Sequence, residues 1–266
     1  MSFSYRELLP DVFQIEDALG VCMTLLVGKE RALLVDAGFG LEDPTAFIGT
    51  LTDRPVRLIL THGHYDHAMG AQWFPEAAVF PEDVPLAQEH RGTFWRQRML
   101  DSAAEQGIQT DAEAFLAAPE PRWTKLEEGR VDLGGLSAQV IACPGHTPGS
   151  AVVYVPEREL LLTGDDWNPV TWLFFPESLP VEAYRRNMEK LLELPFRHVI
   201  CPHRCELYER SMLESFVRGL TEEALQAAKP VDTGREMGIH TMEAEPAPGQ
   251  CLVFDVDKWR PLQGEP

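Results

Sequence analysis

Thr61-His62-Gly63-His64-Tyr65-Asp66-His67 directly follows the apolar run Val56-Arg57-Leu58-Ile59-Leu60, so imidazoles and a carboxylate gather where a buried strand is expected to end. On extended chain His62 and His64, two residues apart, point to the same side, while Asp66 and His67 fall one step later, where the chain turns toward a helix. Donors arranged in this way suit two metal ions better than one. Imidazole and carboxylate in the absence of thiolate favour zinc, with iron or manganese as the alternatives. A surface turn that is polar by chance is the competing reading, and the concentration of ligand-type residues weighs against it.

Three later stretches carry the same kind of residue at the end of an apolar run: Cys143-Pro144-Gly145-His146-Thr147-Pro148-Gly149-Ser150, Leu161-Leu162-Thr163-Gly164-Asp165 and His198-Val199-Ile200-Cys201-Pro202-His203. With His62-x-His64-x-Asp66-His67 they form an ordered set that resembles the metallo-β-lactamase superfamily, from about Val12 to His203. The resemblance implies one metal held by His62, His64 and His146, a second held by Asp66, His67 and His203, and Asp165 between them. Asp36-Ala37-Gly38 resembles the family's early Asp-x-Gly, whose acid steadies the metal loop; a helix N-cap is the other reading of this aspartate. One departure is plain. A Gly-His-Gly environment is common around the last ligand, whereas this chain has Pro202-His203-Arg204.

The fold the resemblance implies is α+β, a four-layer αββα sandwich of two mixed β-sheets with external helices and metals along one edge. Residues 1–266 are expected to form a single domain, with a helical insertion at about 82–121 and a C-terminal helix-strand extension at about 206–260. The activity implied is that of a dinuclear zinc enzyme cleaving a small-molecule acyl ester, thioester or lactone through a hydroxide bridging the metals. Two ions about 3.5 to 4 Å apart activate water without a protein nucleophile, and Asp66 and Asp165 are the expected catalytic carboxylates. A carboxylate at 165, where the lactamases place Cys, is closer to the thioesterase, lactonase and esterase branches. The alternatives are a mononuclear iron persulfide dioxygenase, or a phosphodiesterase or β-lactamase of the same fold.

Composition narrows the partners. The chain has 266 residues, 44% hydrophobic, enough for a substantial core, and a formal charge of −19 that repels a phosphate backbone. A small-molecule substrate is expected and nucleic acid is not. Met1 to Ile15 lacks a secretory apolar run, and no stretch approaches the ~20 apolar residues of a membrane span, so a cytoplasmic location without a membrane partner is expected. The five cysteines are odd in number and read as reduced thiols, Cys201 and Cys205 first as packing residues.

Between the landmarks, Val21–Val27 and Ala32–Asp36 read as a hairpin, Asp43–Asp53 as a helix, Ala68–Phe74 as a short helix and Ala77–Phe80 as a strand. In the insertion, Phe94, Trp95, Arg96 and Arg98 are candidates for substrate contact; the other reading packs the aromatics inside and leaves the arginines in solvent, and His90 reads as a surface residue. Strands at Trp123–Leu126, Arg130–Leu133, Leu136–Ala142, Ala151–Val155 and Leu160–Thr163 are expected to fill the second sheet. The aromatic loop Asp166–Pro176 either lines a pocket over the metals or plugs the core. Val181–Leu194 reads as an amphipathic helix, Glu206–Lys229 as one long helix, and Gly249–Val256 as a closing strand.

Overall fold

A computed structural model of the chain describes residues 3–234 and 238–259. Seven strands run in sequential order across the first sheet: β1 (Ser4–Leu9), β2 (Val12–Glu16), β3 (Cys22–Val27), β4 (Ala32–Val35), β5 (Val56–Ile59), β6 (Glu76–Val79) and β7 (Arg122–Lys125). The first four are antiparallel meanders, and from β4 onward pairing is parallel. The second sheet has the order β14-β13-β11-β10-β9-β8, built from β8 (Gly129–Asp132), β9 (Ser137–Ala142), β10 (Ala151–Val155), β11 (Leu160–Leu162), β13 (His198–Ile200) and β14 (Tyr208–Glu209). It too is mixed, because β11 and β13 are parallel while their neighbours are antiparallel.

Strand periodicity explains the layering. In β4, Leu33 and Val35 face the second sheet, while Ala32 and Leu34 face outward toward Ile48, Ala68 and Ala87 on the covering helices. In β10, Ala151, Val153 and Val155 meet the first sheet, while Val152 and Tyr154 pack on the helices Val181–Leu191 and Arg210–Gly219. Strands buried on both faces need apolar side chains at every position, and β4 (Ala-Leu-Leu-Val) and β10 (Ala-Val-Val-Tyr-Val) supply them. The result is the expected αββα sandwich.

Four expectations change. The strand at Trp123 joins the first sheet, parallel to β6, because the helices Val84–His90, Thr93–Glu105 and Ala112–Ala117 act as the crossover between the two. Asp66 and His67 already lie within the helix Tyr65–Ala68, which passes into a 3-10 turn over Met69–Trp73. The long helix expected at Glu206–Lys229 is broken into β14, the helix Arg210–Gly219 and the helix Glu222–Gln226. A side chain at Gly219 would sit 1.7 Å from the Pro246 carbonyl oxygen, so the helix ends where the backbone packs against the neighbouring strand, and Thr221 caps the next helix through the Ala224 N–H. Finally, a third sheet stands beside the sandwich, in the order β12 (Val170–Leu173), β17 (Gln250–Asp255), β16 (Thr241–Ala247), β15 (Lys229–Pro230). Its first strand comes from the aromatic loop, paired in parallel with the closing strand across a sequence gap that no local pattern reveals.

Candidate metal centre

The residues of interest leave the sheets at strand ends, where backbone pairing stops and side chains converge. His62, His64, Asp66 and His67 follow β5; His146 sits in the tight loop joining β9 to β10; Asp165 follows β11; His203 follows β13. Two groups form, His62 with His64 and His146, and Asp66 with His67, Asp165 and His203, each with its ligand-type atoms within 4.8 Å of one another. At this edge the two sheets are locked together by Ala151 N–H, at the start of β10, donating to the Thr61 carbonyl beyond β5 at 2.8 Å. Gly164, at φ +53°, lets the end of β11 approach Thr61, where a Cβ would lie 2.8 Å from the threonine Cβ.

In the first group His64 Nδ1 lies 3.1 Å from His62 Nε2 and 2.8 Å from His146 Nε2, and all three rings are buried. The far nitrogens of these rings fix the protons. His146 Nδ1 lies 2.7 Å from the Trp172 carbonyl oxygen, which can only accept. His64 Nε2 lies 2.5 Å from Glu177 Oε1. His62 Nδ1 lies 3.0 Å from Thr61 Oγ1, whose single proton goes to Asp36 Oδ2 at 2.8 Å. Each outer nitrogen is thus the donor, so that a ring in its neutral form turns a lone pair inward. Three lone pairs at this spacing repel unless a cation lies between them, and tetrahedral zinc with bonds of about 2.0–2.1 Å sets its nitrogens roughly 3.3 Å apart. Burial lowers the pKa of His62 and takes that of His146 down to about 4, which keeps both rings neutral and fit to ligate.

The second group is built around charge. Asp165 reaches both groups, with Oδ1 2.9 Å from His203 Nε2 and 3.5 Å from His67 Nε2, and Oδ2 3.6 Å from His146 Nε2. Asp66 Oδ2 lies 3.7 Å from His67 Nε2 and 3.9 Å from His203 Nε2. His67 Nε2 and Asp165 Oδ1 are buried and make no well-aligned hydrogen bond, so they face each other and their neighbours through charge alone. Burial pulls the His67 pKa down, but Asp165, Asp66 and Asp36 together outweigh it and hold the ring well above its usual range. The pKa of Asp165 is held well below the usual carboxylate range by His203 and His67, against burial. Such a site is short of positive charge, and a divalent cation among these donors supplies it.

Beneath the loop, Asp36 accepts from Thr61 N–H at 2.7 Å, from the Thr61 hydroxyl and from His67 Nδ1 at 3.0 Å. It holds φ +66°, a left-handed conformation costing about 1 kcal/mol, to do so. This is the steadying contact expected of it, and no helix cap is involved.

A family model described as Metallo-beta-lactamase superfamily matches residues 17–203, a span that includes both groups. The chain belongs to the metallo-β-lactamase superfamily. Among its relatives, the protein called acyl-coenzyme A thioesterase MBLAC2 of Gallus gallus is 28% identical over 193 residues, covering 66% of this chain and 68% of the relative. Its Homo sapiens counterpart is 26% identical over 200 residues with the same coverage. Among solved structures, the metallo-beta-lactamase from Pontibacter korlensis covers 80% of this chain and 95% of its own at 19% identity and TM-score 0.57. The sec-alkylsulfatase Pisa1 from Pseudomonas sp. covers 84% of this chain and 43% of its own at 16% identity and TM-score 0.61. These structures share the fold. Superfamily membership and the two converging groups support a metal-dependent hydrolase.

The surroundings differ from the sequence reading in several places. His90 is buried, not superficial, and stacks 5.3 Å from His64 and 4.7 Å from Trp95. Arg96 is structural: its guanidinium donates to the carbonyls of Leu116 and Ala118 and to Gln72 Oε1. Phe94, by contrast, is 68% exposed, and Trp95 stacks on Tyr65 at 4.7 Å. The aromatic loop divides its tasks. Trp167 and Phe174 plug the core, whereas Phe175 lies 4.7 Å from the His64 ring and 5.4 Å from His146. Cys201 is a buried packing residue whose thiol is pushed up to about 12 by burial.

Sequence reasoning missed two carboxylates. Asp83, fully buried, accepts from Gly63 N–H at 2.8 Å, Gly149 N–H at 2.7 Å and the Thr147 hydroxyl at 2.7 Å, and so ties the two histidine loops together. Glu177 holds His64. Neither lies in a motif; the signal available was a lone acid beside an apolar strand or an aromatic loop.

Proposed function

We propose that this chain hydrolyses acyl thioesters or esters of small molecules, with zinc held by His62, His64 and His146, zinc held by Asp66, His67 and His203, and Asp165 shared between them. The observation that carries the reading is Asp165, a carboxylate whose Oδ1 faces His203 and His67 and whose Oδ2 faces His146, so that it lies within reach of both groups. Thioesters come first because the MBLAC2 relatives, at 26–28% identity over about two thirds of the chain, are described as acyl-coenzyme A thioesterases.

Zinc held by these residues would supply a water of near-neutral pKa and a Lewis acid for the acyl oxygen. The chain's residues do the rest. The Asp66 side chain, 17% exposed, would orient the attacking water and take up its proton. Phe175 excludes bulk water above His64 and His146, which strengthens the electrostatics beneath it. Beyond His64 the His90 ring leads outward to Tyr65, Trp95 and Phe94, an aromatic flank suited to the acyl portion. The five cysteines are free thiols and fit a cytoplasmic enzyme. No described helix is long and apolar enough to cross a membrane.

Elemental analysis of the chain purified without added metal, paired with turnover of acyl thioesters, esters, lactones and phosphodiesters, tests the reading. Two zinc ions per chain and preferred thioester or ester cleavage, abolished by chelation and restored by zinc, are expected. A single iron with oxygen uptake on a thiol persulfide, or phosphodiester cleavage alone, overturns it.

A further inference from the structure

The loop that leaves β12 forms neither helix nor sheet over residues 174–178, yet it supplies outer contacts to two rings of the first histidine group. Phe175 lies against two of the rings, Glu177 Oε1 is 2.5 Å from His64 Nε2, and the Ser178 hydroxyl donates to the His146 carbonyl at 2.8 Å. What fixes this loop comes from outside it. Lys258 Nζ donates to the carbonyl oxygens of Phe175, Pro176 and Ser178, each at 2.7 Å. An ammonium has three protons, and these three acceptors use all of them. Lys258 belongs to the 3-10 turn Val256–Lys258 that follows β17, beyond the family-matched span of 17–203.

We propose that Glu177 is a positioning residue for the first metal subsite and that Lys258 is the clamp that places it. The inference rests on the metallohydrolase reading above. A carboxylate on the outer nitrogen of a ligating histidine fixes its tautomer, holds the ring plane and makes the inner nitrogen a stronger donor. Here the carboxylate stands on a loop with no regular backbone pairing of its own; the Ser178 and Leu179 bonds anchor its far end to the His146 loop, and the three charge-assisted bonds from Lys258 fix the residues on either side of Glu177. The affinity of the His62, His64 and His146 subsite is thereby set by a residue of the closing C-terminal turn.

Zinc titration of the full-length apoprotein against a chromophoric chelator, with the absorption spectrum of the cobalt(II) form as a second readout, tests the proposal. Glu177→Ala is expected to weaken the first subsite by about 10–100-fold and shift the cobalt bands, leaving the second subsite unchanged. Glu177→Gln keeps an acceptor oxygen and is expected to recover part of the loss. Lys258→Met is expected to weaken the same subsite by a smaller factor, and to add less in the Glu177→Ala background than in the parent, because it acts through that residue. Thermal melting of the apoproteins separates lost binding from lost folding, and should Glu177→Ala fail to fold, Glu177→Gln and Lys258→Met carry the comparison. Parent-like affinity and cobalt spectra in the folded variants overturn the proposal while leaving the hydrolase reading intact. A parent chain that takes up no metal overturns both.

Discussion

The two halves of the centre are built on different principles. The three histidines of the first are buried, and each outer nitrogen is held by an oxygen: that of His62 by its neighbour Thr61, those of His146 and His64 by the Trp172 carbonyl and Glu177 of the aromatic segment. The second half is more open, with the His203 side chain 33% and the Asp66 side chain 17% exposed, and it is governed by carboxylates. One half is shaped by hydrogen bonds that orient neutral donors; the other is shaped by an excess of negative charge. Geometry without charge gives a rigid seat for an ion, and charge with partial exposure gives a seat that solvent and substrate can reach. A hydrolytic centre needs both.

Asp165 is where the halves meet, so its replacement breaks the comparison most severely. Asp165→Asn is expected to lower kcat/KM by about 10²–10³-fold, the scale on which groups that stabilise transition-state charge act, and to weaken metal binding in both halves. Loss confined to the second half, read by metal stoichiometry, would show that the carboxylate does not join them.

The rigidity of the first half is tested at Asp83. Asp83→Ala strands two backbone N–H groups and a hydroxyl in the interior, and is expected to cost about 3 kcal/mol in urea unfolding. A change smaller than about 0.5 kcal/mol, the size of an ordinary surface substitution, would mean that the two histidine loops stand without it.

The counterpart in the second half is Asp36. Asp36→Ala frees His67 Nδ1 and is expected to reduce affinity at that subsite by about 10–100-fold, with the first subsite affected less. Equal losses at both would show that Asp36 acts through Thr61 on the whole loop rather than through His67.

The smallest effect concerns a single buried carboxyl, Asp17. Asp17 accepts from the N–H groups of Leu19, Val21 and Phe39, yet burial pushes its carboxyl from 3.8 up to about 6, with Asp66 adding to the rise. Between those values the folded chain keeps a proton that the unfolded chain has released. Stability of the apoprotein is therefore expected to fall as pH rises from about 4 to about 6 and to level off above, by linkage. Asp17→Asn is expected to remove that slope in thermal melts across the range; an unchanged slope would place its origin elsewhere.

The metal-ligand candidates and the sandwich were legible because each is a local matter. His62 and His64 share a side of extended chain by strand geometry, Asp66 and His67 follow at the turn, and apolar runs ending in Gly-Asp or Pro-His mark strands that stop at a site. The double burial of β4 and β10 was likewise written in their uninterrupted apolar residues. Tertiary structure alone decided the supports. Glu177 meets His64 across 113 residues, Asp83 meets Gly149 across 66, and Lys258 meets Phe175 across 83. Single carboxylates and lysines carry no periodicity, and their roles depend on which loops the sheets bring together. The same holds for the helix expected at Glu206–Lys229, where helix-favouring residues gave way to the close approach of Gly219 to the Pro246 carbonyl. Local pattern determined which residues can ligate and which strands are buried; long-range packing decided what holds each ring in place, because a hydrogen bond between distant loops leaves no mark on either stretch of sequence alone.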